Sequence, residues 1–279
     1  MYTVLIVGAG YLGSQLARHF ADEKQKVYAL TRTQARRDEL EKAGVQTLVA
    51  DLTRPETLRE ALPAAHFIVL CPAPDEPDEA SYQHIYGAGI ANVLQVLRAR
   101  PFPRLLVYIS STRVWGKQVC GWVDESTPPA PGDEKGRIMV RAEESVLNAG
   151  LPAVVFRLTG LYGPGRNRID PLRDGAWPQP GPDRYMNMIH CDDVVGAMRL
   201  IFNRAVAGRV YLGVDHEPTL KSEVYRWLAG RMQLALREGV LTSGTETGKQ
   251  CRNTKLKDLG YVFRYPSFRV GYEDLLSHS

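Results

Sequence analysis

The chain has 279 residues, 44% of them hydrophobic and 24% charged. These proportions exclude wholesale disorder, and the length fits one large α/β domain or a domain with a smaller lobe attached. A formal net charge of +4, carried by scattered basic residues, argues against nucleic acid, and no apolar run approaches the roughly 20 residues of a membrane span.

The opening MYTVLIVGAG lacks the basic start of a signal peptide and reads as a first strand, so a cytoplasmic protein is expected. Apolar runs place further strands at 27–31, 46–49, 66–70, 104–110 and 153–158 after the first at 2–7. Helix-like stretches fall between them at 11–22, 34–43, 55–62, 80–99 and 134–149. The strands are near-continuous apolar runs (VLIV, FIVL, LLVYI, AVVF), as expected where helices cover both sheet faces. The fold expected is α/β, a Rossmann-type doubly wound parallel sheet with ligands at the carboxyl ends of its strands. Residues 163–182 hold five prolines and four glycines, with Trp177 among them, and mark a loop that leaves the sheet. A helix at 192–203 and a strand at 209–213 return to it; a helix at 220–232, a polar Gly/Thr segment at 242–248 and an aromatic, basic end follow.

Gly8, Ala9, Gly10, Tyr11, Leu12 and Gly13 follow the first strand and open the first helix. In such a turn the first glycine permits the tight bend, the second lets backbone approach a pyrophosphate, and the third lets helix pack on strand. The free N–H groups of the helix start then face that pyrophosphate. An acid about 20 positions later would hold the ribose hydroxyls of NAD. Here the second strand ends in Leu30-Thr31-Arg32-Thr33, with Arg36 and Arg37 beyond, and no carboxylate. Arg32 suits a 2′-phosphate, so NADP is expected, with NAD as the alternative if Arg32 is only a solvated charge. Asp51 and Leu52 close the third strand, where Asp51 either accepts from an adenine amino group or caps the next turn. Cys71 and Pro72, after the fourth strand, join the expected cofactor contacts. The division that follows is a dinucleotide-binding domain of residues 1–163, to which 184–213 returns, and a small C-terminal substrate lobe of 164–183 and 214–279.

Together these features resemble the extended short-chain dehydrogenase/reductase family, which includes nucleotide-sugar epimerases and dehydratases. The glycine turn resembles its cofactor loop, and Asp51-Leu52 its adenine-binding pair. Residues 108–116 (YISSTRVWG) are similar to its fifth-strand signature, 155–165 (VFRLTGLYGPG) to its sixth-strand segment, and 188–194 (MIHCDDV) to its later I-H-V-D-D motif. The resemblance implies a Tyr-x-x-x-Lys dyad on the fifth helix, where tyrosine is the acid/base and lysine lowers its pKa. Aligned on the following Ala142-Glu143-Glu144, Lys135 stands at the tyrosine position and Met139 at the lysine position, so the dyad is missing. Ser111 keeps the family's Ser/Thr position, and the helix-four asparagine is replaced near Tyr86. The chain thus resembles an atypical subgroup that is epimerase/dehydratase-like by fold.

Ser111, Lys135, Tyr86 and Tyr162 are the candidate catalytic groups, each weighed against a plainer role. Lys135 also fits a solvated lysine at a helix start, and Tyr82 and Tyr86 fit a packed helix face. Arg113, Trp115, Arg184, Asn187, His190 and Asn253 are the candidate substrate contacts, with His190 equally suited to fastening a loop. Trp122 is a further pocket candidate, and Lys249 and Arg252 form a polar cluster with Asn253. The four cysteines lie apart without C-x-x-C and the six histidines lack ligand spacing, so no metal is expected. The reading is an NADP-dependent oxidoreductase or epimerase-like enzyme on a small polar substrate. Its rival is a non-catalytic NADP-binding sensor or scaffold. Apolar residues on more than one side of helices 80–99 and 134–149 point to a homodimer through them.

Overall fold

A computed structural model describes residues 1–236 and 247–278; positions 242–246 of the polar Gly/Thr segment lie outside them. In chain order the elements are β1 (Thr3–Val7), α1 (Tyr11–Asp22), β2 (Lys26–Leu30), α2 (Gln34–Lys42), β3 (Gln46–Leu48), α3 (Pro55–Ala61) and β4 (Phe67–Leu70). Then come α4 (Glu79–Tyr82), a π-helical stretch Gln83–Gly89, α5 (Ile90–Arg98), β5 (Leu105–Ser111), β6 (Gly121–Val123), α6 (Glu134–Leu147), β7 (Ala153–Leu158) and β8 (Gly160–Tyr162). The remainder are α7 (Ile169–Arg173), β9 (Tyr185–Met186), β10 (Met188–His190), α8 (Cys191–Arg204), β11 (Val210–Gly213), β12 (Thr219–Leu220), α9 (Lys221–Arg231), β13 (Lys249–Cys251), α10 (Thr254–Asp258) and α11 (Phe268–Ser277).

The chain separates into two compact units. The first comprises 1–116, 129–157 and 198–211; the second comprises 117–128, 158–197 and 212–279. A seven-stranded sheet runs in the order β11-β7-β5-β4-β1-β2-β3. The strand pairs from β5 through β4, β1 and β2 to β3 are parallel, with Leu5 opposite Ile68 on one side and Tyr28 on the other. The chain order reverses between β1 and β4, so the carboxyl ends of these strands face a crevice of the kind where α/β sheets bind ligands. Val4, Leu5, Ile6 and Val7 are all fully buried, which is why β1 shows no polar alternation.

Helix α1 buries Leu12, Leu16, Ala17 and Phe20, a stripe at helical spacing. Phe20 stacks on Phe202 at 5.2 Å between ring centroids, and Phe202 on Phe67 at 4.3 Å. The expected helix at 80–99 is one helical run whose middle widens into the π-helical stretch. Ile90, Val93, Leu94, Val96 and Leu97 of α5 are no more than 3% exposed and belong to the unit's own core. The extra apolar surface read from α5 is therefore spent inside this unit.

The short strands β6, β8, β9, β10, β12 and β13 have two or three residues each, too few to show a period. The second unit has a core of Tyr162, Ile169, Leu172, Met188, Val224, Tyr225, Leu228, Phe268, Tyr272 and Leu275. Its elements are tied by Asp193, whose carboxylate accepts from the Tyr261 hydroxyl at 2.8 Å and from the backbone N–H groups of Arg264 and Tyr265 at 2.7 and 3.0 Å.

Candidate functional site

The turn after β1 is built around two close approaches. Gly8 has φ +106°, a left-handed conformation that a side chain would strain, and a Cβ there would lie 2.7 Å from the Cys71 carbonyl oxygen. At Gly13 a Cβ would lie 2.0 Å from the Gly8 carbonyl oxygen, so only glycine lets α1 press on the turn. Gly10 differs: nothing lies within 4 Å of the Cβ position, so its backbone is open to an approaching group. Gly10 is also the N-cap of α1 and makes no side-chain cap, which leaves the helix start to a ligand. The buried Ser14 hydroxyl braces the turn from below, 2.9 Å from the Ala9 carbonyl and 2.6 Å from that of Gly10. The Cys71 thiol donates to the Gly8 carbonyl at 3.1 Å, and burial pushes its pKa up to about 12, which makes it an inert packing group.

This turn is one wall of a cavity of about 300 Å³ within the first unit. Gly8, Gly10, Arg32, Asp51, Leu52, Cys71 and Pro72, the expected cofactor contacts, are among the residues that line it. Tyr11, Leu12 and Gly13 stand beneath it at the start of α1 and do not line it. Sequence reasoning passed over Thr31, Thr33, Pro74, Asp75 and Ile85, which also face the cavity. Burial acts to raise the Asp51 pKa, but the Thr53 N–H and hydroxyl, each 2.8 Å from Oδ1, with Arg32 and Arg54, hold it below the usual carboxylate range. Asp51 thus organises its own turn with one oxygen while still lining the cavity.

Arg32 is engaged. Its Nη1 and Nη2 donate to the two carboxylate oxygens of Asp75 at 2.9 and 2.6 Å, a bidentate pair across the cavity rim. That pairing raises the arginine pKa and lowers that of Asp75. Arg36 pairs with Glu39 at 2.6 Å, and the Arg37 Nε donates to the Thr47 hydroxyl at 3.3 Å.

At the carboxyl end of β5, the Ser111 hydroxyl accepts from the Arg113 N–H at 3.2 Å and caps the turn Thr112–Val114. The Lys135 ammonium donates to the Pro77 carbonyl at 2.7 Å and lies 5.8 Å from the Tyr82 ring centroid. The Arg113 guanidinium, ion-paired with Asp133, lies 5.8 Å from the same centroid. Tyr82 and Tyr86 meet edge to face at 5.2 Å, and burial raises the Tyr86 pKa. Met139 is 3% exposed, and no hydroxyl or ammonium stands in its place. Trp115 is corrected from pocket lining to core: it is 1% exposed and lies under the Arg157 guanidinium at 4.8 Å. Arg157 is in turn clamped by Glu143, which also accepts from Ser110 at 2.5 Å.

Residues 4–179 match the family described as NAD dependent epimerase/dehydratase. The chain belongs to that family. A solved structure from Methylobacillus flagellatus, assigned to the NAD-dependent epimerases/dehydratases, is 32% identical with a TM-score of 0.80 and covers 99% of this chain and 98% of that one. Protein YeeZ of Escherichia coli strain K12 is 26% identical over 277 residues, 95% of this chain and 97% of YeeZ. A 4-hydroxy-2-methyl-3-oxo-4-farnesyl-3,4-dihydroquinoline-1-oxide ketoreductase from Stigmatella aurantiaca is 27% identical over 235 residues, 78% of this chain and 69% of that protein.

Several of the expected site residues fall in the second unit and are bound up structurally. Tyr162 stacks on Tyr272 at 4.9 Å, and its enclosed hydroxyl lacks a partner among the described residues. Burial raises its pKa, so the expectation of a catalytic acid there is corrected to a core residue. His190 is 1% exposed, accepts the Asp192 N–H at Nδ1 over 3.2 Å, and is kept neutral by burial; it fastens a loop. The Asn187 side chain donates to the Lys249 carbonyl at 2.9 Å and accepts from the Cys251 N–H at 2.7 Å, holding β13 in register. Asn253 donates to the carbonyls of Val214 and Asp215 at 3.0 and 3.1 Å. Arg184 donates to the Lys117 carbonyl at 3.0 Å. Trp122 is 52% exposed, beneath the Arg252 guanidinium at 4.6 Å.

His190, Cys191 and Asp192 bring three ligand-type atoms within 4.8 Å of one another. Nδ1 already accepts a backbone N–H and Cys191 is fully buried, so the cluster reads as packing.

Proposed function

We propose that this chain is an NADP-dependent oxidoreductase or epimerase-like enzyme acting on a small polar substrate without a tyrosine–lysine dyad. The observation that carries the reading is the open backbone at Gly10, set at the start of α1 in a cavity whose rim holds Arg32 and no acid from β2. A pyrophosphate would lie against Gly8, Gly10 and the α1 N-terminus, with the adenosine end toward Arg32 and Asp51. A nicotinamide held there would supply the hydride, and the protein's part would be to orient it and the substrate. Ser111 would orient a carbonyl rather than protonate it, because a serine hydroxyl is a poor acid. Tyr86 and Lys135 are the remaining candidates for proton delivery in the first unit. An imine already protonated at neutral pH would need no strong acid from the chain. The Stigmatella relative, named a ketoreductase, supports a reductive direction.

NADPH incubated with pooled carbonyl and imine metabolites, followed through nicotinamide absorbance, tests the reading. Oxidation dependent on one pool supports it. Tight NADPH binding with no turnover on any pool favours the sensor reading, which gains its support from the buried Met139 and from Lys135 being bound to Pro77. The proposal includes a cytoplasmic location, a substrate lobe within 164–183 and 214–279, and a homodimer using the α6 face that carries the half-buried Val140 and Leu147.

A further inference from the structure

The Arg32–Asp75 pair is chemically unlike the rest of the cavity rim. A carboxylate bound through two guanidinium nitrogens is the protein's nearest equivalent of a phosphate bound the same way. Asp75 comes from the loop after β4, where Pro72, Pro74 and Pro77 stiffen the backbone, and it reaches across the sequence by 43 positions to Arg32. Both residues line the cavity that also contains Gly8, Gly10 and Asp51. The pair is solvent-accessible, with side-chain exposures of 50% and 68%, so it can open without unfolding anything around it.

We infer that Asp75 is a specificity-determining residue of this groove: its carboxylate occupies the guanidinium face that a ribose 2′-phosphate requires, and the phosphate must displace it. The inference rests on the dinucleotide reading of the cavity. Arg32 has two alternative partners of the same geometry. With an unphosphorylated ribose the Asp75 clasp stays closed, and the loop after β4 remains fastened to the end of β2. With a 2′-phosphate the clasp opens, because a phosphate carries nearly twice the charge of a carboxylate and offers more acceptor oxygens. Asp75 then opposes the phosphate twice, by holding Arg32 and by like-charge repulsion once released. It narrows the preference for NADP over NAD that Arg32 alone would set.

Calorimetric titration of the full chain with 2′,5′-ADP and with 5′-ADP separates the possibilities, using native protein, Asp75→Asn, Arg32→Ala and the double variant. Asp75→Asn is expected to tighten 2′,5′-ADP by about fivefold, the upper range for opening an exposed ion pair, while 5′-ADP moves by less than about twofold. The gain shrinks in the Arg32→Ala background, because the two residues act on one contact. Asp75→Ala, with melting temperature followed alongside, gives the same ordering and checks that the loop has not collapsed. Unchanged or weakened 2′,5′-ADP binding in both Asp75 variants overturns the inference, as does equal tightening of the two nucleotides. If native protein binds neither nucleotide, the dinucleotide reading itself falls, and this inference with it.

Discussion

Two glycines three positions apart should respond to the same substitution in opposite ways. At Gly13 an added methyl would sit 2.0 Å from the Gly8 carbonyl oxygen and 3.0 Å from the Cys71 sulfur. The first neighbour is backbone and cannot rotate away, so α1 must move off β1. Overpacking of this kind costs about 1–3 kcal/mol. That lowers Tm by several degrees, at about 2–4 °C per kcal/mol for chains approaching this size. At Gly10 the methyl meets nothing within 4 Å, and the backbone, at φ −73°, accepts alanine. Gly10→Ala should therefore change stability by less than about 0.5 kcal/mol. Its methyl nevertheless stands where a pyrophosphate would approach and would hold it off the N–H groups of the α1 start. Paired thermal melts and NADPH titrations read both quantities. Gly10→Ala with native stability and at least tenfold weaker NADPH is the expected result, the tenfold corresponding to about 1.4 kcal/mol. Native affinity in Gly10→Ala would mean that the open backbone at Gly10 has no part in binding, and the placement of the pyrophosphate would be wrong.

Glu143→Gln removes one charge of a pair in which both side chains are 4% exposed; a loss of about 3–5 kcal/mol in denaturant unfolding is expected, and a loss under 1 kcal/mol would show the pair to be dispensable. Asp215 is buried with Oδ2 unpartnered among the described residues, and burial holds its pKa well above the ordinary value. A carboxyl whose folded pKa is raised lowers stability as pH climbs from the unfolded value, about 4, toward the folded one. Asp215→Asn should accordingly gain stability over native protein as pH rises above about 4, and melts with no such divergence refute the assignment. Lys135→Tyr combined with Met139→Lys should raise turnover of ordinary ketones by 10²–10⁴-fold, roughly the worth of a general acid, provided that Lys135 stands where the tyrosine would act; steady-state rates with NADPH decide. Light scattering at micromolar concentration should return a dimer mass, and a monomer mass removes the α6 interface.

What the sequence disclosed and what it hid divide along a physical line. The glycine turn was legible because its meaning is local: a short apolar strand run, three glycines and a helix period within about 20 residues. Arg32 was legible as a residue type but not as a bonded group, since Asp75 sits in a proline-rich, acidic stretch with no period to place it. Only the return of β4 beside β1 brings the two together. Tyr162 and His190 were legible as motif positions, but the sequence left His190 open between a substrate contact and a loop fastener and offered Tyr162 as a catalytic group. Whether a phenol or imidazole faces a cleft or a core depends on Tyr272 and Tyr265, which arrive far later in the chain. Asp193 illustrates the same limit: its motif was visible, its three donors from 261–265 were not. The short strands β6 and β13 pair with each other across more than a hundred residues, which no window of sequence can register.

The cavity at the end of β1 is proposed to hold a nicotinamide dinucleotide with its pyrophosphate on the glycine turn and its adenosine end at Arg32. Isothermal titration of the native chain with NADPH and, separately, with NADH tests it most directly. One-to-one binding of both is expected, with NADPH the tighter and the difference lost in Arg32→Ala. Equal affinities in native protein would contradict the role of Arg32, and no binding of either cofactor would contradict the account as a whole.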